Sequence, residues 1–302
     1  MSCASTATLV LPEPALAEGR FASLDAQSHI KVLTDEPLFS LTGVRIAFTS
    51  REGGVSAGPY DSLNLGSHVE DNLDCVLENR RILTESLAGK VPLVVPNQVH
   101  GNEVLEIGAL EDVPAVEKAA AQGADAVISH VPGVAALLCF ADCVPVIVVS
   151  PTGRFAVVHA GWRGVENCIS AKAVSLLANA DARQLGCAPE HHAAGMNVYI
   201  GPHIRSECFE TGAEVHARFV EKFGKSCIHD ESHISLVEAL RTQLVNAGVS
   251  PERICDAGIC TVCENESYFS YRAQGGTAGR HGAFAFRFPE DDAAKEQKKG
   301  RA

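Results

Sequence analysis

Positive charge is in short supply. Lys and Arg number 25 against 37 Asp and Glu in 302 residues, a formal net charge of -12. That sign opposes non-specific attraction to polyphosphate backbones and anionic lipid, so neither nucleic acid nor membrane is expected as a partner, and small polar substrates are. Long uniformly apolar runs are also missing. The nearest approach, residues 131–150, has about the length needed to span a bilayer but carries Asp142 at its middle and is broken by Pro132 and Pro145. Two buried strands joined by a kink fit it better. The amino end has no Lys or Arg before Arg20 and is interrupted by Pro12 and Pro14, which argues against a secretory signal. Internal repeats and heptads are absent. Cysteine is plentiful at eleven, but the count is odd and scattered along a long chain, unlike a disulfide framework. A reducing, cytoplasmic setting is therefore expected.

The remaining pattern predicts one large domain of mixed strands and helices over residues 41–289, preceded by a loose arm at 1–40 and followed by a charged, structureless tail at 290–302. "VRIAFTS" reads as a short strand. It runs into a long stretch rich in Gly, Ser, Asn and Pro, the kind of loop that is usually functional inside a compact domain. "LDCVLENRRILTESLA" has apolar residues at helical spacing behind an Asn/Asp-rich entry. "ADAVISH", "VAALLCF", "VPVIVVS" and "RFAVVHAG" are β-rich runs separated by Gly or Pro. Helices are predicted at about 165–180, 214–223 and 236–247, with further strands at "NVYIGPHI", "RICDAGIC" and "GAFAFRF". Strands and helices mix without strict alternation.

Three strand-like runs end on side chains competent to bind metal: His100 in "NQVHG", Cys143 in "ADCVP" and His159 in "VVHAGWRG". Two imidazoles and a thiolate suit Zn²⁺, and three protein ligands leave the fourth tetrahedral position open for water or substrate. With 12 histidines and 11 cysteines the set also arises by coincidence, because free Cys is often a small buried hydrophobe. Spacing alone leaves both readings open. Asp142, next to Cys143, is read as an orienting or proton-transferring acid, or else as a turn cap between two strands. Arg163 follows a Gly-bracketed helix start that could hold an anion, and Arg51 and Arg272 lie on Gly-rich segments. His68, Asn97 and Gln98 are candidates for polar substrate contacts. The Cys-x-x-Cys pair Cys260 and Cys263 has no second pair at zinc-ribbon spacing and reads as two unpaired thiols; His191 and His192 read as solvated surface.

Taken together, "SREGGVSAGPYDSLNLGSHVEDN", "NQVHG", "ADCVPV", "HAGWRG", "IGPHIRSECFE" and "CTVCENESYFSYRAQ" with its following "GR" resemble the YfiH or laccase-domain family over about residues 45–288. The resemblance implies a mixed α/β fold of layered sheets under outer helices, similar to that of the cytotoxic necrotizing factor deamidase domain. It implies a purine nucleoside phosphorylase acting on adenosine, inosine, guanosine and methylthioadenosine, with adenosine deaminase activity. It also implies a metal, zinc with copper as the alternative, on His100, Cys143 and His159. Ala273 departs from the family's frequent second arginine, and Cys263 lies outside its usual pattern. Older labels attached to the family keep two other readings in view, a copper polyphenol oxidase and an enzyme of cell-wall precursor editing, the latter with Cys143 as nucleophile and His159 as base. A non-enzymatic metal-binding module is the third.

Overall fold

The computed structural model describes residues 10–22 and 29–299. Twelve strands lie within these residues: β1 Ala17–Ala22, β2 His29–Thr34, β3 Val44–Thr49, β4 Leu93–Val94, β5 Val104–Ile107, β6 Ala126–Ser129, β7 Ala135–Phe140, β8 Val144–Val149, β9 Phe155–Ala160, β10 Asn197–Ile200, β11 Ile254–Asp256 and β12 His281–Arg287. The helices are α1 Glu36–Thr42, α2 Leu73–Leu87, α3 Val113–Ala120, α4 Trp162–Glu166, α5 Ile169–Leu185, α6 Pro189–Ala194, α7 Ala213–Phe223, α8 Leu236–Asn246 and α9 Glu290–Lys299. The strands form two six-stranded sheets, ordered β1-β2-β3-β12-β7-β4 and β11-β10-β8-β9-β6-β5, each mixing parallel and antiparallel pairs. This is the α+β architecture of layered mixed sheets expected from the sequence.

Period-2 geometry explains why the central strands are apolar throughout. In β8, Val144, Val146 and Val148 face α5 and α8, whereas Ile147 and Val149 face the other sheet. In β7, Ala136, Leu138 and Phe140 meet the second sheet, whereas Ala135, Leu137 and Cys139 pack under α2 through Ile82, Leu83 and Leu87. A continuous core thus lies between the sheets, with a helix-covered layer outside each.

Residues 131–150 are two strands, as expected, and they belong to different sheets. Ala141, Asp142 and Cys143 are the crossing from β7 in the first sheet to β8 in the second. Residues 95–103 make the same passage, from β4 to β5. These two crossings, together with the end of β9, frame the functional site.

Among the described residues, both the arm and the tail expected from composition carry regular structure; the parts of those expectations at residues 1–9, 23–28 and 300–302 lie outside the described residues. The region expected to be a loose arm forms β1, β2 and α1. Its anchor is Asp35, only 1% exposed, which accepts hydrogen bonds from the amides of Ala15 and Leu38 and from the Tyr199 hydroxyl. The Leu38 bond is a local helix cap, but those from Ala15 and Tyr199 are long-range contacts that local composition does not encode. The tail expected to lack structure carries α9, whose first-turn acids Glu290, Asp291 and Asp292 complement the helix dipole and whose Ala293 packs at the edge of the core. The helix expected over 165–180 is divided, because Cys168 adopts φ 56 between α4 and α5. His192, expected at the surface, is buried in α6 and bonds the carbonyl of Gly186 through Nε2.

His281, at the start of β12, is fully buried beside the rings of Phe140 and Tyr268. Burial pushes its imidazole down to about 3, only partly offset by the Pro202 carbonyl. The folded state therefore keeps it neutral while the unfolded chain takes up a proton below about pH 6.5, so stability falls as the pH drops through that range. Denaturant unfolding at pH 6.5 and pH 5 should show His281→Leu losing less stability than the wild type over this interval, by about 2 kcal/mol.

Candidate metal centre and ligand cavity

The site begins with a buried carboxylate. Asp125, immediately before β6, accepts hydrogen bonds from the amides of His100 (3.0 Å) and Gly101 (2.7 Å) and pairs with His159 Nδ1 at 2.7 Å. Burial disfavours its charged form, but His159 and the two amides outweigh that effect and hold its pKa below the usual value. One side chain thereby fixes the β4–β5 crossing and orients the imidazole on β9. With Nδ1 engaged, His159 presents Nε2.

Cys143 reaches the same place from the β7–β8 crossing. Its Sγ lies 3.7 Å from His100 Nε2, and the rings of His100 and His159 meet edge to face with centroids 4.8 Å apart. The donor atoms of His100, Cys143 and His159 all lie within 4.8 Å of one another. Their burial is graded: His159 is buried, Cys143 half-buried and His100 exposed, so the group opens to solvent on one side. The soft thiolate and two imidazoles, with a carboxylate bracing one imidazole, fit a zinc-type cation.

Electrostatics favour a thiolate at Cys143 paired with a charged His159. Burial raises the Cys143 thiol, but the charge of His159 and hydrogen bonds from both histidines bring it down to about 6. Burial likewise opposes a charged His159, yet the Cys143 thiolate and Asp125 raise it to about 9. Two positions carry unusual backbone, with φ of 58 at His100 and 88 at Asp142. Gly161 allows the close approach: a Cβ there would stand 3.0 Å from the His100 ring and 3.1 Å from Cys143 Sγ.

A cavity of about 350 Å³ opens over the three donors. Four further residues singled out from the sequence line it: His68, Gln98, Asp142 and Arg272. His68 stands at the mouth, where partial burial of its ring and the charges of Arg280 and Arg80 push it down to about 4, leaving it neutral near pH 7. Gln98 makes reciprocal bonds to the amide and carbonyl of Cys139. Asp142 accepts from the Thr261 hydroxyl and the Arg272 amide, both at 2.7 Å, so each of its oxygens already holds the carboxyl-terminal loop. Arg272 donates its guanidinium to the carbonyls of Cys208 and Glu210.

The other three candidates lie outside the cavity lining. Arg51 bonds the carbonyls of Asp61 and Asn265 and covers the Phe269 ring, bracing one loop against another. Arg163 is exposed and stacked on Trp162. Asn97 is exposed and pairs through its backbone with Ala120 and Ala124. Conversely, the residue reading passed over Asp125, Arg280, Phe209 and Tyr271. An acid immediately before a fully buried strand is the available signal for Asp125. For Arg280 it is a cation closing a Gly-rich segment.

The chain has known relatives. Residues 45–287 match the family model described as multi-copper polyphenol oxidoreductase laccase. Sequence relatives include purine nucleoside phosphorylase YfiH of Shigella flexneri, 38% identical over 250 residues, covering 80% of this chain and 93% of the relative. Purine nucleoside phosphorylase YlmD of Geobacillus stearothermophilus is 35% identical over 273 residues, covering 82% and 92%. Among solved structures, YlmD from the same organism aligns with a TM-score of 0.73 at 30% identity, covering 90% of this chain and all of that one. A Bacillus licheniformis hypothetical protein YfiH aligns with a TM-score of 0.73 at 28% identity, covering 87% and 97%. The chain is a laccase-domain protein. Within that class it belongs to the YfiH family.

Asp125→Asn should keep the fold but weaken metal retention by roughly 10- to 100-fold in competition with a chelator, the usual cost of losing a carboxylate behind a ligating histidine.

Proposed function

We propose that the protein is a zinc-dependent purine nucleoside phosphorylase that takes adenosine, inosine, guanosine and methylthioadenosine and also deaminates adenosine. The observation that carries this reading is the convergence of the three donors His100, Cys143 and His159 on a cavity walled by arginine and aromatic side chains. The names of the relatives support the activity, and the resemblance stated above supplies the range of nucleosides and the deamination. Zinc on His100, Cys143 and His159 would supply a fixed positive charge with an open coordination position.

The remaining work falls to the chain's own residues. Phe209 and Tyr271 offer rings to a flat base, and Arg280 is held at the wall by the carbonyls of Ala278 and Gly279, where its guanidinium suits phosphate. In phosphorolysis a phosphate oxygen bonds to the anomeric carbon as the carbon–nitrogen bond to the purine breaks. The bonding pair leaves with the base, which takes a proton. Asp142 positions the loop carrying Tyr271 and Arg272, and its place in the cavity wall makes it the proposed acid for proton transfer in deamination. Arg51 and Arg163 receive no substrate contact in this scheme.

A second reading has a specific observation behind it. A thiolate lowered to about 6 beside a raised imidazole is the pairing a cysteine nucleophile needs, which keeps an amidase of cell-wall precursors in play. Copper oxidation of phenols has less support, because these three donors make one centre with two histidines rather than a cluster of copper sites.

Incubation with each nucleoside, with and without phosphate, followed by product identification, should show phosphate-dependent release of the base. Cys143→Ala should lose the zinc of the three-donor centre and base release together; full activity in Cys143→Ala protein with that centre empty would sink the scheme. Arg280→Gln should raise the KM for phosphate by roughly 10- to 100-fold, the loss of one charged hydrogen-bonding partner.

A further inference from the structure

A second group of soft donors stands outside the cavity. The loop after β10 brings Glu207 and Cys208 against the segment carrying Cys260 and Cys263, and the donor atoms of all four residues lie within 4.8 Å of one another. The two segments are locked in place by backbone. His203 and Cys260 form a parallel bridge, the Thr261 amide donates to the His203 carbonyl, and the Cys208 amide closes a turn on Arg205. Cys260 and Cys263 have the two-residue spacing of a metal-binding knuckle, with the Glu264 amide turned back onto the Cys260 carbonyl.

We propose that Cys208, Cys260 and Cys263, completed by the Glu207 carboxylate, bind a structural zinc ion that clasps together the two loops lining the cavity. Cys208 Sγ and Cys263 Sγ lie 3.7 Å apart. Tetrahedral zinc with bonds of about 2.3 Å to sulfur sets neighbouring sulfurs about 3.8 Å apart. A bond between Cys208 and Cys263 alone would leave the third thiol and the carboxylate without a reason to converge. Four protein ligands fill a tetrahedral shell, which is the structural pattern, in contrast to the three donors at His100, Cys143 and His159.

The location gives the clasp its purpose. Phe209 directly follows Cys208 and lines the cavity, as do Tyr271 and Arg272 beyond Cys263. Arg272 already donates to the carbonyls of Cys208 and Glu210, and Thr261 to Asp142. A cation beside these bonds fixes the loop after β10 to the carboxyl-terminal loop, and so fixes the spacing of the aromatic rings across the cavity.

The test is metal content by mass spectrometry on full-length protein purified under reducing conditions and passed free of loose metal. Wild type should hold about two zinc ions per chain, Cys143→Ala about one, the Cys208→Ser/Cys263→Ser double variant about one, and the triple variant almost none. Cobalt added to metal-stripped Cys143→Ala protein should give thiolate charge-transfer absorption, and zinc should protect Cys208 and Cys263 from alkylation in that background. This second measurement keeps the clasp intact and so does not depend on the serine variants folding. Cys143→Ala protein that holds no zinc, alkylation indifferent to zinc, or a Cys208–Cys263 disulfide in reduced protein overturns the proposal. None of these readouts involves nucleosides, so the absence of purine release would count against the proposed activity and leave the clasp standing.

Discussion

The Asp125 carboxylate is the interaction on which the site depends. It is fully buried, and a buried charge is tolerable only when its lone pairs are satisfied. Here the partners are three amides of the β4–β5 crossing, those of Val99, His100 and Gly101, and the imidazole on β9. Desolvation and organisation are therefore the same event: the chain cannot bury Asp125 without also setting His100 and His159 at their mutual distance. Cys143 then meets them from the β7–β8 crossing, with Gly161 leaving the space.

Both crossings pass between the sheets at the same end of the sandwich, which explains the concentration of unusual backbone there. A chain leaving one sheet for the other must turn sharply, and His100 and Asp142 absorb that turn with positive φ, the latter between two fully buried strands. The apolar strands on either side hold these conformations rigidly. A donor set mounted this way keeps its geometry without extra residues devoted to it, while the more exposed walls of the cavity come from loops.

Much of this was legible in the sequence, for identifiable reasons. Strands buried on both faces give largely apolar runs, so β7, β8 and β9 announced themselves, and polar side chains near their ends marked Cys143 and His159, while His100 was marked in the loop between β4 and β5. What was hidden depends on contacts far apart along the chain. Asp35 joins Ala15 to Tyr199, and no local pattern reveals that the amino end is tied down. Asp125 looked like the polar start of a strand. Arg51 and Arg163 had the right company of glycines, but one braces loops and the other stacks on Trp162 at the surface. Residue type located the chemistry; which arginine faces the cavity was settled by topology alone.

The order of the first sheet carries one more consequence. β12 sits in its middle, paired with β3 on one side and β7 on the other, although it is the last of the described strands. A ribosome therefore delivers the keystone last. Until residue 287 has emerged, the two halves of that sheet have no strand to join them, and the inner core between the sheets lacks Ala283 and Ala285. The residues of the three-donor centre are all synthesised well before that moment, whereas Tyr271, Arg272 and Arg280 arrive with the closing strand. Biosynthesis thus separates in time what the finished molecule brings together in space: the three donors come first, and the Tyr271, Arg272 and Arg280 part of the cavity wall comes with the step that completes the fold.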